Sequence, residues 1–184
     1  MIYPKEYFDS VKDIDIDLLK KNNIKGLILD VDNTLIDFDK KMPEGTKEWI
    51  DKVKEQGIKC CILSNSNKLE KVSNVAKELD IPFIYFAKKP LKFGFNKAKK
   101  MLNLQSIEIA VVGDQIMTDV IGANRSKMFS ILVKPIEEKD YLITKIKRPL
   151  ENIIIKRYLK KRWFLGRTQK VPKILDNMMW ILIE

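Results

Sequence analysis

Lys25-Gly26-Leu27-Ile28-Leu29-Asp30-Val31-Asp32-Asn33-Thr34-Leu35 opens with a short apolar run and breaks into alternating carboxylates. An unbroken apolar run of this length, with no polar alternation, is the pattern of a strand covered on both faces. The same pattern recurs at Ile58 to Leu63, Phe83-Ile84-Tyr85-Phe86, Ile107 to Val112 and Phe129 to Val133. Between these runs the apolar residues take helical spacing. Glu44 to Gln56 places Trp49, Ile50 and Val53 on one side and is closed by Gly57 as a C′ glycine; Lys68 to Leu79 does the same through Leu69, Val72, Val75, Ala76 and Leu79. Further helices are expected over Lys92 to Leu102 and near Thr118 to Ser126. Strands alternating with helices predict an α/β domain, a doubly wound (Rossmann-like) parallel sheet of about five strands over roughly residues 23–136.

Ligands of open parallel sheets bind beyond the carboxyl ends of the strands. Here the first strand runs into Asp30-Val31-Asp32-Asn33-Thr34 and the second into Ser64-Asn65-Ser66. The third is followed by Lys88-Lys89-Pro90, the fourth by Gly113-Asp114-Gln115 and, a turn later, Asp119. Carboxylates without imidazole suit a hard, oxygen-seeking cation such as Mg²⁺. With a lysine and a serine as donors, cation and donors together describe a phosphate site. Two carboxylates two residues apart can divide the work, one attacking phosphorus and the other moving the proton.

Composition narrows the chemistry further. The 184 residues contain no His, which excludes an imidazole base, a Ser-His-Asp triad and a His-ligated metal. The two cysteines, Cys60 and Cys61, are adjacent inside an apolar run, so they read as core thiols of a reducing compartment and not as a zinc framework. No apolar segment reaches the ~20 residues that span a bilayer, and Met1-Ile2-Tyr3-Pro4-Lys5-Glu6 lacks a signal-peptide pattern. The expected location is cytoplasmic.

Asp30-x-Asp32-x-Thr34, Ser64, Lys89 and Gly113-Asp114-x-x-x-x-Asp119 resemble, in order and in placement, the four motifs of the haloacid dehalogenase (HAD) superfamily. Three longer strings, Ile28 to Leu35, Ala87-Lys88-Lys89-Pro90 and Val112 to Asp119, add to it. So do Gly122-Ala123-Asn124-Arg125 and Ile131-Leu132-Val133-Lys134-Pro135. Together they resemble the YqeG-type phosphatases, a group related to the mitochondrial phosphatidylglycerophosphate phosphatases. The resemblance covers about Pro4 to Leu159.

It implies Asp30 as the nucleophile that forms an aspartyl-phosphate and Asp32 as general acid/base, lending its backbone carbonyl to Mg²⁺. Thr34, Ser64, Asn65 and Lys89 would bind phosphate, Asp114 would be the second metal carboxylate, and Asp119 would support it or the lysine. Only 34 residues separate Asp30 from Ser64, and 25 separate Ser64 from Lys89. HAD lids are inserted in one of those two intervals, so the resemblance implies a HAD core without a cap domain, open to a large or surface-borne phosphate. The implied substrate is a lipid phosphate, phosphatidylglycerophosphate; a different small or nucleotide phosphate is the alternative within the enzyme class.

Blander readings stand beside these. Asp30 and Asp32 could simply cap a loop, Ser64 could N-cap the following helix, and Lys88 competes with Lys89. Asp119 could start a helix and face its dipole. Asp37, Asp39 and Arg125 read as solvated.

The charge is uneven. Of the net +10, residues 145–184 hold +8, with eleven basic and three acidic side chains, which leaves +2 on residues 1–144. The expected organisation is a HAD-like phosphatase domain with its N-terminal lead-in over 1–144, followed by a basic, helical C-terminal extension over 145–184. In the extension Leu150, Ile154 and Tyr158 fall at helical spacing and Trp163-Phe164 follow, while Pro172 to Ile183, ending Met178-Met179-Trp180-Ile181-Leu182-Ile183, is too short to span a bilayer but could dock a groove or an interface. A helix packed on the sheet domain with a solvated charged face is one reading. Peripheral contact with an anionic membrane at its inner face is a second, and nucleic-acid or ribosome binding a third, without any RNA-binding motif.

Overall fold

In the computed structural model, which describes residues 2–137 and 153–160, six parallel strands form one sheet in the order β1-β6-β5-β2-β3-β4. They are β1 (Glu6–Phe8), β2 (Gly26–Leu29), β3 (Lys59–Leu63), β4 (Phe83–Ile84), β5 (Ile109–Gly113) and β6 (Phe129–Val133). The helices are α1 (Ile16–Lys21), α2 (Thr46–Glu55), α3 (Leu69–Leu79), α4 (Lys92–Leu102) and α5 (Ile121–Arg125). From β2 the chain steps outward through β3 and β4, then crosses to the other side of β2 for β5 and β6. The switch point of this doubly wound sheet therefore lies between β2 and β5, where a ligand crevice is expected.

Alternation along each strand splits the core into two layers. Leu27 and Leu29 of β2, Cys60 and Ile62 of β3, and Ala110 and Val112 of β5 share one face with Trp49, Ile50 and Val53 of α2 and Val72, Val75, Ala76 and Leu79 of α3. Ile28, Cys61, Leu63, Ile109 and Val111 face the other way, with Phe95, Ala98 and Leu102 of α4 and Ala123 of α5. All four residues of β2 are buried, which is why it reads as continuous apolar sequence. Gly57 does sit in the left-handed region, at φ 76°, just past the last turn of α2. Both cysteines are buried and free, and burial pushes each thiol up to about 12, so neither is a thiolate at neutral pH.

The expectation of five strands misses the lead-in. Glu6–Phe8 pairs with Ile131–Val133 as a sixth, edge strand, and α1 follows it, with Val11, Ile14 and Leu19 joining the first core layer. A three-residue, half-buried strand carries no periodicity to detect. The strand expected over Phe83 to Phe86 is only Phe83–Ile84: Phe86 takes φ 49°, which ends the ladder and leaves Tyr85 and Phe86 exposed. Leu69, placed by spacing on the buried side of α3, is 48% exposed because it is the first residue of the helix, ahead of the part that packs. The region near Thr118 to Ser126 is a π-helical turn, Ile116–Val120, followed by α5.

By its internal contacts the chain divides into Met1–Leu142 and Ile143–Glu184. Within the second unit residues 153–160 are helical, with Ile154, Tyr158 and Leu159 buried at the anticipated spacing and Ile153 half-exposed. The proposed boundary at 144/145, Trp163-Phe164 and Pro172 to Ile183 lie outside the described residues. Among those described, no helix is long and apolar enough to cross a membrane.

Candidate active site

Register brings the polar rim together. Leu29 stands opposite Ile62 of β3 and Val112 of β5, so Asp30, Ser64 and Asp114 leave three adjacent strands within one residue of the same level. The Asp30 amide donates to the Val112 carbonyl at 2.9 Å and closes the ladder at the site. Asp30, Thr34, Ser64, Lys89, Asp114 and Asp119 are all buried.

Lys89 is the hub. Its ammonium lies 2.5 Å from Asp30 Oδ1 and 2.7 Å from Asp119 Oδ1, with the side chain 2% exposed. Burial works to discharge this lysine, but Asp119 and Asp30 outweigh it and hold the ammonium well above its usual range. Asp30 is pushed the other way, up to about 7. Burial is the main cause; Lys89 opposes it, while Asp119 and Asp32 add to it. Asn65 fixes the loop that delivers the lysine, accepting from the Lys89 amide at 2.6 Å and donating to the Lys89 carbonyl at 3.1 Å. Lys88, the competing residue, is exposed and sits over the Phe86 ring, 5.3 Å from its centre.

The second half of the rim holds the remaining carboxylates. Thr34 Oγ1 lies 3.5 Å from both Asp30 Oδ2 and Asp114 Oδ1, between the two strand ends. Asp119 Oδ2 accepts from the Gln115 amide at 3.2 Å and the Thr118 hydroxyl at 3.1 Å, so it closes its own turn as well as facing Lys89. Gly113 is required beside it: a Cβ there would stand 2.4 Å from Asp119 Cγ. Asp30, Asp114 and Asp119 each present an oxygen within 4.8 Å of the others. Three buried carboxylates with one ammonium, which pairs with Asp30 and Asp119, leave excess negative charge, and the all-oxygen donor set fits Mg²⁺.

Asp32 does not join that cluster. Its side chain is 30% exposed and is ion-paired with Lys71 of α3, whose side chain is 9% exposed. Sequence reasoning passed over Lys71, one of two lysines on α3, and no local signal marks it. It also gave no role to Asn33, which sits at φ 63° and bonds Glu137 twice, donating to its carbonyl at 2.9 Å and accepting from its amide at 2.8 Å. Ser64 is fully buried, and its hydroxyl accepts from the Ser66 amide at 3.1 Å. That is a local turn, and since α3 begins at Leu69, Ser64 does not cap it, contrary to the sequence expectation. Asp37 accepts from the Lys41 amide in its own loop, and Arg125 is exposed at the end of α5.

A family model described as mitochondrial PGP phosphatase matches residues 1–137. The chain is 39% identical over 161 residues to the probable phosphatase YqeG of Bacillus subtilis, covering 86% of this chain and 92% of that protein. It is 29% identical over 172 residues to the chloroplastic/mitochondrial phosphatidylglycerophosphate phosphatase 1 of Arabidopsis thaliana, covering 83% of this chain and 47% of that one. Among solved structures, an uncharacterized protein from Listeria monocytogenes superposes with TM-score 0.52 at 20% identity, over 73% of this chain and 99% of the other.

Proposed function

The chain belongs to the mitochondrial PGP phosphatase family, HAD-type phosphatases, and on that premise we propose that it hydrolyses the phosphomonoester of a lipid phosphate, phosphatidylglycerophosphate, through an aspartyl-phosphate on Asp30. The observation that carries the mechanism is the buried juxtaposition of Asp30 with Lys89, 2.5 Å apart, at the switch point of the sheet. Family membership carries the substrate, supported by the plant relative and by connections too short for a lid: β2 to β3 holds one helix, and β3 to β4 one more.

In this reading Asp30 Oδ attacks phosphorus and the ester oxygen leaves as an alcohol, taking its proton from Asp32. Water, deprotonated by Asp32, then releases phosphate and regenerates Asp30. Lys71 aims the Asp32 carboxylate. Lys89, Ser64 and Thr34 hold phosphoryl oxygens, and Asn65 keeps Lys89 in register. Asp30, Asp114 and the Asp32 carbonyl would hold Mg²⁺, which would neutralise charge on the phosphoryl group and keep Asp30 ionised against its burial. Asp119 holds Lys89 from the far side.

Phosphate release from phosphatidylglycerophosphate in mixed micelles, with Mg²⁺ and with chelator, tests the reading. Activity should require the metal, and Asp30→Asn should lower it roughly a thousandfold or more. Activity retained in Asp30→Asn would sink the mechanism. Turnover of soluble aryl phosphate without turnover of the lipid would sink the substrate alone.

A further inference from the structure

The site opens beside a surface that the reaction does not use. Among the described residues nine large apolar side chains are exposed, and five of them, Leu69, Tyr85, Phe86, Leu91 and Phe93, come from two neighbouring segments. The segments are bound to each other: the Phe86 amide donates to the Ser66 carbonyl and the Ala87 amide to the Ser64 carbonyl, both at 2.9 Å. Phe93, at 77% exposure, and Phe86, at 55%, are large rings offered to water. Scattered single exposures are ordinary; five gathered next to a catalytic rim are an interaction surface.

The chemistry of its border selects the partner. Lys68, Lys88 and Lys92 are exposed around the apolar side chains, and the stretch Tyr85 to Phe93 contains three lysines and no acid. Lys88 lies over the Phe86 ring, so cation and ring form one amphipathic unit. Aromatic and aliphatic tips with cations at their base match the boundary between acyl chains and anionic headgroups. The same loop carries Lys89, whose ammonium touches Asp30, so a bilayer seated here would have its headgroups at the mouth of the site.

We propose that this face, built from the start of α3, the loop between β4 and α4 and the first turn of α4, docks the protein on an anionic lipid surface and presents headgroup phosphates to Asp30. The proposal rests on the lipid-phosphate reading above and adds the surface by which such a substrate is met.

The full chain, sedimented with phosphatidylcholine vesicles with and without phosphatidylglycerol, should bind the anionic ones. Phe86→Ser/Phe93→Ser and, separately, Lys88→Glu/Lys92→Glu should each weaken that binding about tenfold and leave turnover of a soluble aryl phosphate unchanged. A nitroxide on Phe93→Cys should become shielded from aqueous quencher on these vesicles. One on Ile107→Cys, 75% exposed at the opposite end of the sheet, should not. Unchanged vesicle binding in both double variants, equal shielding at the two labels, or loss of self-association in place of vesicle binding would overturn the docking face. Vesicle binding that depends on the face, in a chain inactive on phosphatidylglycerophosphate, would keep the face and remove the substrate assignment. Lipid turnover by a chain whose position 93 stays wet would do the reverse.

Discussion

Two lysine–carboxylate arrangements stand at opposite ends of the same sheet. At the amino ends of β2 and β5, Lys25 and Glu108 are joined at 2.6 Å, with side chains 63% and 21% exposed. At the carboxyl ends, Lys89 meets Asp30 at 2.5 Å and Asp119 at 2.7 Å, all three nearly excluded from solvent. The contact lengths are alike; the surroundings are not. Water screens the first pair and would solvate either partner alone, so it contributes little. The second holds more negative than positive charge where water cannot reach it, and desolvation offsets much of the mutual attraction. Fold stability does not explain such an arrangement, whereas the proposed binding of a phosphoryl dianion and its metal would.

Substitutions that remove one partner test this contrast most sharply. Lys89→Met should leave Asp30 and Asp119 buried beside each other, lowering stability by roughly 3–5 kcal/mol in denaturant titrations of the metal-free chain and abolishing measurable turnover. An unchanged midpoint would mean that the cluster is not dry. Lys71→Met frees the Asp32 carboxylate to swing into solvent. It should lower kcat about ten- to a hundredfold with KM little changed, and Lys71→Arg should recover part of the loss. A KM effect alone would make Lys71 a substrate contact and not a positioning residue.

The pH response follows from Asp30. Its folded value of about 7 lies above the ordinary 3.8, so between these the folded chain holds a proton that the unfolded chain has released. Stability from the neutral carboxyl is therefore full below about 4 and is lost as pH rises through about 7. Thermal melts of the metal-free chain should fall over that window, and Asp30→Asn should flatten the fall. A slope identical in the two proteins would reject the assignment. At the other end of the sheet Lys25→Ala should leave the melting midpoint unchanged, and a clear drop would erase the contrast.

The sequence showed the site more fully than it showed the fold around it. Strand ends that turn from apolar to Asp or Ser are local signals, and residues 30, 64 and 114 come together because parallel register puts those ends within a residue of one level, whereas Lys89 is delivered by the loop after β4. Lys71 was missed because its partner lies 39 residues away, and nothing local distinguishes it from other helix lysines. The edge strand Glu6–Phe8 was missed because pairing with β6 supplies the order that three half-buried residues lack. Tyr85 and Phe86 misled for the opposite reason: their composition favours a strand, but the positive φ of Phe86 turns the backbone away from β3. The same two residues, misplaced as core, supply part of the proposed lipid face.

The pair of hydrogen bonds between Asn33 and Glu137 has a consequence for how short the protein can be cut. Asn33 lies between Asp32 and Thr34, and its partner is 104 residues downstream, just beyond the last strand. The Ile136 amide adds a third tie, to the Asn33 carbonyl at 3.1 Å. A chain ending after β6 would keep every strand of the sheet yet release the loop that carries Asp30 and Asp32. The shortest active piece therefore has to reach Glu137, and the catalytic loop is clamped by a stretch that belongs to no strand or helix.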